Sequence, residues 1–315
     1  MILTVTPNPC VDKTVYIDRL TPGTFHRSTR TSCVPGGKGN NVARAAKALG
    51  AASKALVIVG GHSGRHVVDM ITNDDGVPCA PCWVASPTRT ITTVLEEAEH
   101  RQTAFFEPGS RVTEAEYASL LAIYAEAVQG ARIAVFSGTV CDRSIERFYR
   151  EAIPMAQAAG ALTILDSHGR EFALGLEATP YMVKPNVAEA EELVGFCLDT
   201  EAARWRAIDS FHDRGVTLVA LSLGKDGLLV SRGDEQYRVA PPKIREVNPV
   251  GSGDALVGGF AVGLERGMSL VDTACLGCAC GAANAMTWDI GHFSMDEVRE
   301  IERAVQVRPA PRPTG

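Results

Sequence analysis

The sequence predicts an α/β protein whose mostly parallel central sheet is covered by helices on both faces. Short apolar, β-branched runs recur along it: Ala55 to Val59, Arg132 to Phe136, Leu162 to Leu165 and Thr217 to Ser222. Each runs into Gly, Ser or Asp. Between them lie amphipathic stretches, Asn41 to Leu49, Thr113 to Val128, Ser144 to Ala159 and Ala188 to Val194. Strands alternating with helices at this spacing build βαβ units and a parallel sheet. Ligands of such sheets bind outside the carboxyl ends of the strands, so the Gly, Ser and Asp residues there are the positions to watch.

Composition sets the outer limits. A chain of 315 residues, 45% hydrophobic and 22% charged, buries a sizeable core without help from disulfides or metals. Its net charge of −6 argues against a broad phosphate-backbone interface, which needs a basic face. No apolar run approaches the roughly 18 residues of a membrane span. Met1-Ile2-Leu3-Thr4-Val5-Thr6 has no basic segment ahead of it and reads as a strand rather than a signal peptide. The expectation is a soluble, cytoplasmic protein with no nucleic-acid or membrane partner. Its 9 cysteines are then reduced by default. Two C-x-x-C spacings, Cys79 to Cys82 and Cys275 to Cys278, could clamp zinc only jointly, and they lie far apart in sequence. The second falls in the small-residue run Ala274 to Ala283, which reads as a tightly packed buried helix, so these cysteines are expected to be small core hydrophobes.

Two segments break the strand–helix rhythm. Val11 to Val34 and Trp83 to Phe106 alternate polar and apolar residues, as in Thr14-Val15-Tyr16-Ile17-Asp18 and Thr90-Ile91-Thr92-Thr93-Val94. Period two predicts antiparallel strands that could pair into a small sheet apart from the main one, such as a lid. The expected organisation is a main α/β domain over 1–10, 35–82 and 107–307, a discontinuous β lid over 11–34 and 83–106, and a Pro-rich disordered tail over 308–315.

Four motifs carry chemistry. Asn248-Pro249-Val250-Gly251-Ser252-Gly253-Asp254 is a glycine turn entering a helix, where successive N–H groups make an anion cradle at the positive helix end. Asp254 stands beside that cradle, either as an N-cap or as a base for an attacking hydroxyl. Val34-Pro35-Gly36-Gly37-Lys38-Gly39-Asn40-Asn41-Val42-Ala43-Arg44-Ala45 is a second glycine turn leading into a helix; it contains a lysine and lacks the Walker A spacing. It serves as a plain loop-to-helix cap or as a seat for a small anionic or polyhydroxylated ligand. Lys184-Pro185-Asn186-Val187-Ala188-Glu189 places Asn186 and Glu189 three apart at a helix start, as a capping box or as hard oxygen donors toward a hydrated magnesium ion. Ser222-Leu223-Gly224-Lys225-Asp226-Gly227 is a turn after a strand that could border a nucleotide or simply reverse the chain.

In this order, with Asn8-Pro9-x-x-Asp12 ahead of them, the motifs resemble those of the ribokinase-like, PfkB-type carbohydrate kinases over residues 1 to about 300. Met1 to Pro9, Gly36 to Gly39 and Asn248 to Asp254 are most similar to the 1-phosphofructokinase and tagatose-6-phosphate kinase branch. The resemblance implies a ribokinase-like fold and ATP-dependent phosphorylation of a ketohexose phosphate assisted by Mg2+. Fructose 1-phosphate is favoured over tagatose 6-phosphate or fructose 6-phosphate. It makes Asp254 the base and Gly251, Ser252 and Gly253 the anion hole. It assigns Asp12, Gly37, Lys38 and Asn41 to the sugar, Asn186 and Glu189 to magnesium and the ATP phosphates through water, Ser222, Gly224 and Gly227 to the nucleotide, and Asn284 to the neighbourhood of the adenine.

A dianionic substrate approaching an acidic protein needs local cations. Lys38, Arg27 and Arg89 are the candidates, the two arginines in the lid segments at positions similar to the family's phosphate contacts. Lid sheets with exposed edges often pair, so a homodimer through the lid is also expected. One departure stands out: after Phe136-Ser137-Gly138 the branch usually continues Ser-Leu-Pro-x-Gly, whereas here Thr139-Val140-Cys141-Asp142-Arg143 follows, and Arg143 is expected to add a phosphate contact or alter substrate choice. Other classes fit less well. Val59-Gly60-Gly61-His62-Ser63-Gly64 lacks dinucleotide-fold spacing, and no acidic residue follows about 20 positions on. A non-catalytic sugar-phosphate sensor would not need Asp254, its glycines, Asn186 and Glu189 together. Lys38, Arg27 and Arg89 speak against a nucleoside or plain-sugar kinase.

Overall fold

Leu3 and Val5 point into one hydrophobic cluster and Ile2 into another, and none of the three is exposed to solvent. A strand buried on both sides needs cover on both faces. The computed structural model, which describes residues 1–99 and 101–310, provides it. In chain order the strands are β1 (Ile2–Thr6), β2 (Cys10–Ile17), β3 (Arg30–Gly36), β4 (Ser53–Val59), β5 (Cys79–Trp83), β6 (Arg89–Glu96) and β7 (Arg101–Phe106). There follow β8 (Ile133–Ser137), β9 (Leu162–Asp166), β10 (Met182–Val183), β11 (Leu218–Ser222), β12 (Leu228–Arg232), β13 (Glu235–Ala240) and β14 (Gln306–Pro309). The helices are α1 (Lys38–Ala48), α2 (Gly61–Asp69), α3 (Glu114–Ala127), α4 (Phe148–Ala158), α5 (Gly169–Leu176), α6 (Val187–Val194), α7 (Glu201–His212), α8 (Ser252–Glu265), α9 (Leu270–Ala285) and α10 (Met295–Ala304).

The large sheet runs β14-β13-β12-β11-β10-β9-β8-β1-β4-β5. It is parallel from β11 to β5 and antiparallel from β11 out to β14. One face is sealed by α3, α4, α5 and α7 through Leu120, Tyr124, Phe148, Phe172 and Phe211, the other by α1, α8 and α9 through Val42, Phe260 and Ala279. This is the ribokinase-like α/β arrangement with a separate small sheet. Cys278 and Cys280 are buried in α9, and burial pushes the Cys278 thiol up to about 12, as expected of packing groups rather than reactive ones.

Three expectations change. Arg308 and Pro309 belong to β14, not to a disordered tail: the outer edge of β13 presents unpaired backbone groups, and Arg308 pairs with Arg238 there. Residues 311–315 of that expected tail lie outside the described residues. Trp83 ends β5 in the large sheet rather than starting the small one. The small sheet, ordered β3-β2-β6-β7, is antiparallel within each hairpin, but its two central strands run parallel, with Asp12 opposite Ile91. The reason is topological. β2 follows β1 and β6 follows β5, and both leave the carboxyl edge of a parallel sheet, so they set out in the same direction.

Candidate active site

Between the small sheet and the carboxyl ends of β1, β8, β9 and β11 lies one cavity of about 1540 Å³. Both glycine turns open into it. Gly37 caps α1 at φ 118°, and a side chain there would press on Thr6 Cγ2 at 2.5 Å. Gly251 caps α8 at φ 80°, with the side chain of Ile290 filling the space a Cβ would need. Neither position tolerates another residue without strain. Ser252 N–H returns to Pro249 O at 3.2 Å. By helix geometry the N–H groups of Gly253 and Asp254, in the first turn, have no intrahelical acceptor and make the head of α8 an anion seat.

The turns bring a compact set of charges together. Asp254, buried at the head of α8, accepts a hydrogen bond of 2.7 Å from Asn41 Nδ2 on α1. Lys38 Nζ stands 3.7 Å from Asp166 Oδ1 and 3.7 Å from Glu189 Oε1, and Lys184 Nζ stands 3.2 Å from Asp166 Oδ1. Burial, then the like charge of Asp166, raises the Asp254 carboxyl to about 6, with Lys38, Asn41 and Lys184 holding it back. Lys38 is held firmly in its charged form, above all by Asp166 and further by Asp254 and Glu189.

Asn186 and Glu189 do form the capping box, each side chain bonded to the other's backbone N–H at 2.9 Å. That uses Glu189 Oε2 and leaves Oε1 on the cavity side toward Lys38. Both oxygens of Asp166 are buried without a formed hydrogen bond, Oδ1 being ion-paired with Lys38 and Lys184. These hard oxygen atoms suit a hydrated divalent cation. Among the described residues, no group of three or more His, Cys, Asp or Glu side chains could clasp a metal directly. Ser222, Gly224 and Gly227 line the same cavity, with Ser222 bridged to Asn186 across a parallel β-bridge.

Asp12 and Arg89, from the small sheet, line the same cavity. Burial raises the Asp12 carboxyl, opposed by Arg44 and Arg89. Arg89 Nη2 donates to Asn8 O at 3.1 Å, but its Nε is buried without a partner, as is Asn8 Oδ1. A buried guanidinium N–H lacking an acceptor calls for one from a ligand.

Three expected residues fall elsewhere. Arg27 is exposed between β2 and β3 and does not line the cavity, because that connection projects past the sheet into solvent. Arg143 is likewise exposed, in a 3-10 turn, and does not line the cavity. Asn284 is buried behind the anion turn, not open to an adenine. Its Nδ2 donates to Val250 O at 2.8 Å and Ser252 Oγ at 3.1 Å, and its Oδ1 accepts from Gly291 N at 2.7 Å. Asn284 braces the cradle. Conversely, sequence reasoning assigned no role to Asp166 or Lys184, although Asp166 follows an apolar strand run and Lys184 opens the Asn186–Glu189 motif.

A buried carboxylate beside a helix-head anion seat, faced by fixed lysines in one cleft at the strand ends, is the equipment of a phosphotransferase. The comparisons agree. The model described as pfkB family carbohydrate kinase matches residues 5–287, and the chain belongs to that family. It is 31% identical to a 1-phosphofructokinase of Xanthomonas campestris, over 98% of each chain. To a tagatose-6-phosphate kinase of Staphylococcus epidermidis it is 30% identical, over 98% of this chain and 99% of that one. The tetrameric inhibited form of phosphofructokinase-2 from Escherichia coli superposes with a TM-score of 0.88 at 30% identity, covering 96% of this chain and 98% of that one. The protein is a sugar-phosphate kinase, and enzymes of its family take their phosphoryl group from ATP. No helix among the described residues is long and apolar enough to cross a membrane.

Proposed function

We propose that the protein phosphorylates a ketohexose phosphate with ATP, fructose 1-phosphate being favoured over tagatose 6-phosphate and fructose 6-phosphate. The observation that carries this is the placement of Asp254, held by Asn41 and facing Lys38, in one cavity with the unsatisfied Arg89. In this reading Asp254 accepts the proton of the sugar hydroxyl as its oxygen attacks the γ-phosphorus in line. The bond to the β-phosphate oxygen breaks, and ADP leaves. The N–H groups at the head of α8 and the Lys38 ammonium stabilise charge on the transferring oxygens. Asp12 binds sugar hydroxyls, Gly37 and Asn41 close round the ring, and Ser222, Gly224 and Gly227 border the nucleotide. Glu189 and Asn186 would hold a hydrated Mg2+ through water, beside Asp166; that ion, when bound, neutralises phosphate charge.

A coupled assay with ATP and Mg2+ against phosphorylated and plain sugars tests the proposal. The largest specificity constant should fall on fructose 1-phosphate, and a preference for an unphosphorylated sugar would overturn it. Arg89→Ala should raise KM for the sugar phosphate about 100-fold while leaving KM for ATP within about twofold, because only the sugar end loses its anion partner. Equal effects on both substrates would place Arg89 elsewhere. A base must be ionised to act, so kcat should fall as pH drops through about 6, the value to which Asp254 is raised. A profile flat down to pH 4.5, in about the ordinary carboxylate range, would exclude Asp254 as that base.

The small sheet serves in this reading as a lid on the sugar. Its exposed Phe105 and Phe106 on β7, with Phe25 beyond β2, support self-association through that sheet. Sedimentation showing only monomer at micromolar concentration would discard the dimer.

A further inference from the structure

Arg44 stands in the helical part of the second glycine motif without a role assigned above, yet it is only 5% exposed and lies one turn beyond Asn41 on α1. Its guanidinium makes four hydrogen bonds to four segments: Nε to Asp75 Oδ1 at 3.0 Å, Nη1 to Asn41 Oδ1 at 3.3 Å and to Ile290 O at 2.7 Å, and Nη2 to Pro35 O at 3.2 Å. Three of these reach the site. Pro35 opens the glycine turn before Lys38. Ile290 packs its side chain on Gly251 at the head of α8. Asn41 carries the donor that touches Asp254.

The side-chain amide of Asn41 has two faces, one donating and one accepting. A carboxylate tolerates only the donor. By donating to Asn41 Oδ1, Arg44 leaves Nδ2 as the face turned to Asp254. We propose that Arg44 is a positioning residue that fixes the amide of Asn41 in the orientation able to hold the base, and ties both glycine turns to the same guanidinium. This inference rests on the reading of Asp254 as base. A lysine could not replace it, since a single ammonium does not span four acceptors in one plane.

The test is steady-state kinetics of Arg44→Lys across pH. The Asn41 hydrogen bond favours the ionised carboxylate, so weakening it should move the acid limb of kcat upward by about one unit. The other groups facing Asp254, namely Lys38 of α1, Asp166 at the end of β9 and Lys184 after β10, stay in place. We expect kcat at neutral pH to fall at least about tenfold, with both KM values within about threefold. Asn41→Ala should reproduce the shift, and the double variant should be no worse than Asn41→Ala alone, because both break one chain of contacts. Should Arg44→Lys not fold, Arg44→Met with Asp75→Asn removes the buried pair as a unit and gives the same readouts. A lowered Tm with unchanged kcat and profile, or strictly additive losses with Asn41→Ala, would overturn the role of Arg44. If Asp254→Asn is inactive while Arg44→Lys has normal kinetics, only the Arg44 inference falls; if Asp254→Asn turns over, both fall.

Discussion

Asp254→Asn should lower kcat by about 10³-fold or more while nucleotide and sugar phosphate still bind, since the substitution removes the proton acceptor and keeps the shape. The same change should make the ligand-free protein more stable at neutral pH. The sign follows from the direction of the shift. The folded carboxyl is raised from 3.8 to about 6. The folded state therefore binds this proton more tightly than the unfolded chain. The stability associated with it is complete below the unfolded value and is lost as pH rises through about 6. At pH 7 the ionised group thus costs on the order of 2–3 kcal/mol, which asparagine avoids. Thermal melts should show the variant a few degrees above wild type at pH 7, with the two curves converging near pH 4. A variant that turns over at the wild-type rate, or a melting gap that does not change with pH, would contradict this account. A buried charge that costs stability is the expected mark of a working group.

Lys38→Met should be nearly as damaging. It removes the ammonium that faces Asp166, Glu189 and Asp254 together. The transferring phosphoryl loses its neutralising partner, and kcat should drop by about 10²–10³-fold. The acid limb of the pH profile should also move upward, because Lys38 lowers the Asp254 carboxyl. Lys38→Arg restores charge without the compact ammonium and should recover only part of the rate. A change in KM alone, with kcat preserved, would recast Lys38 as a binding group rather than one acting on the transferred phosphoryl.

Much of this arrangement is legible in the sequence because it is local. The strands end where Gly, Ser or Asp interrupt apolar runs: β4 at Val59, β8 at Ser137 and β9 at Asp166. Both glycine turns announce themselves through spacing that only a tight helix entry requires. Other features depend on topology. Asp166 and Lys184 meet because β9 and β10 are parallel neighbours, and no motif joins them. Arg44 looks like any polar residue of an amphipathic helix until Pro35, Asp75 and Ile290 converge on it from three directions. Asn284 is a polar residue on a helix beside the anion turn, but its side chain is consumed by Val250, Ser252 and Gly291. Arg308 and Pro309 carry the composition of a loose end and are ordered by the open edge of β13.

The parallel junction of β2 with β6 has a developmental consequence. Asp12 and Arg89 reach the cavity from hairpins that are distant in sequence and meet only side by side. Neither hairpin has a partner until the body beneath has aligned the strands feeding it, so this contact belongs to the late, costly loop closures of folding. A nascent or partly unravelled chain could therefore present a nucleotide seat before it can grip an acceptor, and specificity is the last property the molecule acquires and the first it would lose.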